Sequence, residues 1–169
     1  MIVGNPDKFA IMLDVVDEWN IDDSFNNGIM IFWINAIMFP QELESVTLNS
    51  DFRWFYQSIQ NIVENETIFD METIDAFKSM YRLVYPENYD EDNDYRFQIS
   101  PQEFNDHHNL VFAVSNGKDI RILASSLAYD FEESTCILEN IDIKETFINN
   151  GYLKKMIDDI ENGEMKKLI

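Results

Sequence analysis

The sequence predicts an α+β fold, a single domain over residues 1–169 with a largely antiparallel sheet of about six strands and about three helices packed on it. Three observations carry that expectation. Apolar residues recur every second position near the N-terminus, every third or fourth position between residues 50 and 85, and every second position again beyond residue 109. Strands, then helices, then strands is the order of α+β proteins, not the strict alternation of α/β ones. No internal repeat and no Pro-, Gly- or Ser-rich linker divides the chain.

In KFAIMLDVVDEW, Phe9, Ile11, Leu13 and Val15 alternate with Ala10, Met12, Asp14 and Val16, the period of a half-buried strand. GIMIFWINAIMFP is apolar on both faces, as a central strand is, and Asn35-Ala36 is a candidate tight turn within it. After LNSD, where Asn49 or Ser50 would cap the first turn, Phe52, Phe55, Ile59, Ile62 and Val63 follow helical spacing. Asp70 would cap a second helix, METIDAFKSMYRLV, with Met71, Ile74, Phe77, Met80, Tyr81 and Val84 on one stripe and Pro86 as its stop. Both stripes read as core.

Past the acidic stretch YPENYDEDNDYRF, the segment YRFQIS predicts a short strand. NLVFAVSNGKDIRILASSLAYD is the strongest hairpin in the chain, because SNGKD supplies a residue of positive φ between two alternating arms. CILENIDI predicts a further strand, and KETFINNGYLKKMIDDIEN an amphipathic helix built on Leu153, Met156, Ile157 and Ile160.

With 46% hydrophobic and 14% aromatic residues, the chain carries ample material for a packed core. Its 32 acidic residues against 12 basic ones leave a net charge of -20, which repels nucleic acid and anionic membrane and favours a basic partner. Cys136 is the only cysteine, so no internal disulfide is available, and no stretch reaches the roughly 20 apolar residues of a membrane span. A cytoplasmic location is expected.

Motifs for chemistry are scarce. Asp90, Asp92 and Asp94 have the spacing of the first EF-hand ligands, but Tyr95 stands where the loop needs glycine and Pro101 where it needs glutamate. Asp106, His107 and His108 are the one nucleus for a small metal-dependent hydrolase; two adjacent histidines on a strand would point to opposite faces. There is no GxSxG, no GxGxxG and no GxxxxGK[ST]. Neither a cofactor nor catalysis is expected.

MIVGNPDKFAI, VVDEWN, NNGIMIFWINAIMFP, TLNSDF, YPENYDEDNDYRFQISPQEF and FAVSNGKDIRIL, in this order up to about residue 128, resemble the bacterial immunity proteins of the class immunity protein 42. The last forty residues look more generic. Ala36 departs from the Asn-Gly expected at the tight turn, and alanine disfavours type I′ geometry. The resemblance implies a cytoplasmic antidote that binds the C-terminal domain of a cognate toxin, with no catalytic residues of its own. A basic toxin, a nuclease above all, suits the charge; an acidic adaptor or nucleic-acid mimic without a dedicated toxin is the alternative. The expected interface is Tyr89, Asp90, Glu91, Asp92, Asp94 and Tyr95 in the acidic loop, with Tyr85 and Phe97 as further aromatic anchors. Asp130, Glu132 and Glu133 form a second acidic patch.

Overall fold

Two antiparallel sheets face a common core in the computed structural model, which describes residues 1–20, 26–43, 45–88 and 90–169. The first sheet runs β1 (Ile2–Asn5), β2 (Phe9–Val15), β3 (Asn27–Ile34), β4 (Ile37–Phe39), with β5 (Ser45–Thr47) also paired to β3. After α1 (Leu48–Gln60), α2 (Glu66–Phe69), α3 (Thr73–Val84) and α4 (Gln102–Asp106) comes the second sheet. It is formed by β6 (Asn109–Ser115), β7 (Asp119–Ser126) and β10 (Lys144–Asn149), in the order β10-β7-β6. A two-stranded ribbon, β8 (Tyr129–Asp130) and β9 (Thr135–Cys136), lies between β7 and β10 in sequence, and α5 (Asn150–Asn162) follows. The class is α+β as expected, with more and shorter strands than the sequence announces.

Alternation along the strands sorts the apolar side chains into two cores. Phe9, Ile11 and Leu13 of β2, with Met30, Phe32 and Ile34 of β3, meet Phe52, Phe55 and Ile59 of α1 and the Val111, Ala113, Ile120 and Ile122 face of the second sheet. The opposite face of that sheet, with Leu110, Phe112, Val114 and Leu123, packs on Ala76, Phe77, Met80 and Val84 of α3. Buried on both sides, β6 has no exposed residue. The second sheet is therefore the rigid middle layer on which α3 is mounted.

Arg121 fixes the start of α3 on that layer. Its side chain is 5% exposed, and its guanidinium pairs with Glu145 at 2.6 Å and donates to the carbonyls of Phe69 and Met71 and to Thr73 Oγ1. A cation buried this deeply is tolerable only because nearly every donor is used.

Several expectations are corrected. Asn35 and Ala36 do form a tight β3–β4 turn, with φ of 52° and 65°. The cost of a left-handed alanine, about 1 to 2 kcal/mol, is offset by hydrogen bonds from Asn35 N to Lys8 O and from Ala36 N to Pro6 O, at 2.7 and 2.8 Å. Neither Asn49 nor Ser50 caps α1: both lie inside the helix, where Asn49 Oδ1 accepts from Asn26 N and Ser50 donates to Thr47 O. Asp70 is the C-cap of α2, and it is Asn65 that caps α2, accepting from Ile68 N. Ile62 and Val63 fall beyond the end of α1, and Ile74 is exposed.

YRFQIS is not a strand. Asp94 accepts from Arg96 N and opens a 3-10 turn over Tyr95–Phe97, leaving Gln98 with a single bridge to Phe112. In CILENIDI only Cys136 belongs to a strand, that of β9; Leu138, Ile141 and Ile143 reach the second core from irregular backbone. The expected final helix begins later than predicted, because KETFIN pairs with β7 as β10 and Asn149 caps α5 by accepting from Tyr152 N.

One buried acid lies away from these changes. Asp51 in α1 is 2% exposed and its Oδ2 has no hydrogen-bond partner among the described atoms. Burial, with the neighbouring Glu103 side chain adding to it, pushes its pKa up to about 8.

Candidate functional site

α3 ends at Val84, as Pro86 dictates, and leaves orphan carbonyls at its C-terminus. The acidic loop uses them. Asp94 N donates to Leu83 O at 2.8 Å and Asn93 Nδ2 to Val84 O at 2.7 Å, so the loop leaves and returns to the same helix end. Within the excursion Asn88 makes a turn, its Oδ1 accepting from Asp90 N and its carbonyl from Glu91 N.

The expected interface residues of this loop separate into different roles. Asp90, Glu91 and Asp92 are exposed. Asp94 is committed internally: Arg96 Nε and Nη2 donate to its two oxygens at 2.8 and 2.7 Å, and these bonds lower its pKa. Phe97 is buried at 2% exposure, and Tyr85 donates to Gln98 Oε1 at 2.9 Å, burial pushing its hydroxyl pKa up. Tyr95 remains as an aromatic surface at 48% exposure. Tyr89 lies outside the described residues.

The second acidic patch is the β8–β9 ribbon. Tyr129 pairs with Cys136 and Asp130 with Thr135, and Asp130 Oδ1 accepts from the backbone N–H of both Glu132 and Glu133. This side-chain turn aims residues 131–134 outward. Glu132 and Glu133 are exposed, and Phe131 between Asp130 and Glu132 is 85% exposed. Its ring stands edge-on to Tyr129 at 5.1 Å, and Tyr129 stacks on His108 at 4.5 Å with the planes 6° apart.

The two patches, more than thirty residues apart in sequence, flank one open groove of about 1050 Å³. Glu87 and Tyr95 line it from the loop side, Asp130, Glu133 and Glu139 from the ribbon side, and Lys78 and Arg82 from α3. Its floor includes Tyr81, Leu110 and Cys136. Asp90, Glu91, Asp92 and Glu132 do not line the groove. A partner filling it would meet aromatic surface below and mostly carboxylates at the rim.

His108 is placed for packing, and His107 is exposed. His107 and His108 sit at the end of α4, not on a strand, and His108 has a φ of 59° that turns its ring onto Tyr129. His108 Nδ1 lies 3.8 Å from Cys136 Sγ, whose thiol pKa is raised by burial, away from the thiolate form that nucleophilic chemistry needs. No group of three His, Cys, Asp or Glu among the described residues is placed to hold a metal ion. Phe131, the His108–Tyr129 stack and the groove itself were not anticipated from sequence. The signal available was YDFEES, an aspartate followed by an aromatic residue and two glutamates, the makings of an Asp-capped turn.

The family profile of immunity protein 42 matches residues 1–163. The chain belongs to the immunity protein 42 family. The match takes in most of the last forty residues, and it makes this immunity protein an inhibitor of a toxin and not an enzyme. The crystal structure of CdiI from Burkholderia dolosa AUO158 is similar in fold, with a TM-score of 0.74 at 22% identity over 95% of this chain and 97% of that one. No curated protein matches the chain. No helix among the described residues is long and apolar enough to cross a membrane.

Proposed function

We propose that this immunity protein is a cytoplasmic antidote that binds the C-terminal domain of one cognate toxin in a stoichiometric complex, and that the toxin is basic, a nuclease whose cationic substrate cleft is occupied by the acidic face in place of phosphate. Family membership supports the antidote role. The observation that carries the rest is the placement of Glu87, Asp130, Glu133 and Glu139 around one groove in a chain of net charge -20. Clustered carboxylates beside low-dielectric aromatic walls focus the field, and steered association of this kind reaches about 10⁸ to 10⁹ M⁻¹s⁻¹ at low salt.

Co-expression tests the reading. The protein is expected to rescue growth from the toxin domain encoded beside it and from no unrelated toxin. In purified form it should abolish that domain's nuclease activity at one equivalent, with association slowing about tenfold or more as the Debye length is cut from roughly 14 to 6 Å by added salt. Rescue from unrelated toxins would favour a generic acidic adaptor instead, and association indifferent to salt would remove the basic partner.

A further inference from the structure

We infer that Phe131, at the tip of the β8–β9 ribbon, is the apolar anchor of this protein on its toxin, and that it enters an apolar pocket rimmed by lysine or arginine. The inference deepens the proposed function and rests on it.

Single exposed apolar side chains are common on protein surfaces and carry no message by themselves. Phe131 differs in how it is held. At 85% it is the most exposed of the large apolar residues described, yet its ring is braced by Tyr129, itself braced by His108. The backbone beneath is fixed by the Tyr129–Cys136 and Asp130–Thr135 pairs and by the two N–H groups gathered on Asp130 Oδ1. An aromatic ring ordered before binding loses little conformational entropy on docking, and buried aromatic anchors dominate interface energies.

The surroundings specify the partner's chemistry. From residue 122 to residue 143 the chain holds Asp130, Glu132, Glu133, Glu139 and Asp142, and no lysine or arginine. Asp142 is paired with Lys144, and Asp130 and Glu133 line the groove beside the tip. The cations of the groove, Lys78 and Arg82, belong to α3 and not to the ribbon. An apolar ring within a collar of carboxylates is complementary to an apolar pocket within a collar of cations. A second copy of this chain is a poor occupant, because two molecules each of charge -20 repel.

Titration calorimetry of the intact protein with the toxin domain encoded beside it tests the anchor. Phe131→Ala is expected to weaken binding by about tenfold or more, the loss typical of a hot spot, with the melting temperature unchanged because the side chain is exposed. The double change Glu132→Lys, Glu133→Lys is expected to weaken binding by about threefold or more. Without any substitution, residues 129–136 should gain hydrogen-exchange protection in the complex. A smaller loss for Phe131→Ala, or no protection of the ribbon, overturns the anchor, and full affinity in the double lysine variant overturns the cationic collar. If the native chain fails to bind at all, the proposed function falls and the anchor with it. If the native chain binds and only the variants behave otherwise, the anchor alone is lost.

Discussion

The loop at residues 86–94 and the ribbon at residues 129–136 are both acidic, both begin beside a tyrosine and both border the same groove, yet they present their side chains in opposite ways. Of the described aromatic residues flanking the loop, two turn inward and Tyr95 stays half exposed. Phe97 is buried, Tyr85 is bonded to Gln98, and Asp94 spends its charge on Arg96. In the ribbon the one acid that is internally bonded, Asp130, uses its bonds to push an aromatic ring outward. The loop is richer in charge and the ribbon richer in anchoring surface. Charge density along a sequence thus says where a partner will be attracted, and the direction of nearby aromatic residues says where it will be held.

On this view a carboxylate's role follows from its surroundings, and the largest expected effect lies at the extreme case, Asp51. Its folded pKa of about 8 stands above the unfolded value of 3.8, so between those values the native state holds a proton that the unfolded state has lost. Stability from this group is therefore full below pH 4 and falls as pH rises toward 8. Asp51→Asn should flatten that slope, making the protein several kcal/mol more stable than the native chain at pH 9 and nearly equal to it at pH 4; chemical denaturation at the two pH values measures it. A slope unchanged by the substitution would mean that Asp51 is ionised despite its burial.

A smaller effect separates Asp94 from its neighbours. The lowered pKa of Asp94 means that its contribution is present above its unfolded value of 3.8 and disappears as pH falls below it. At neutral pH, Asp94→Ala removes the cap of the 3-10 turn and should cost about 1 kcal/mol, whereas Asp90→Asn and Asp92→Asn should stay within about 0.5 kcal/mol, as exposed surface changes do. Equal melting curves for all three would erase the distinction between tied and displayed carboxylates.

How much of this was legible in the sequence depended on whether the deciding interaction was local. The β6–β7 hairpin and the α3 stripe were readable, since SNGKD and Pro86 mark their ends and the periodicity runs uninterrupted between. β1 has only four residues, too few to show a period, and it exists because β2 offers an edge. β10 was absorbed into the following helix because KETFIN, three polar residues followed by Phe147 and Ile148, shows the period of neither a strand nor a helix, and only pairing with β7 decides. For the site, the carboxylates could be counted in advance, but neither the pairing of Asp94 with Arg96 nor the exposure of Phe131 follows from counting.

Association and dissociation rates, measured side by side for two variants against the toxin domain, test the division of labour between loop and ribbon most directly. Reversing the displayed loop charges, Asp90→Lys with Asp92→Lys, should slow association by several-fold and reduce its salt dependence, leaving dissociation within about twofold. Phe131→Ala should do the reverse, speeding dissociation by about tenfold or more with association little changed. The opposite assignment, fast dissociation from the loop variant and slow association from the ribbon variant, would contradict the account.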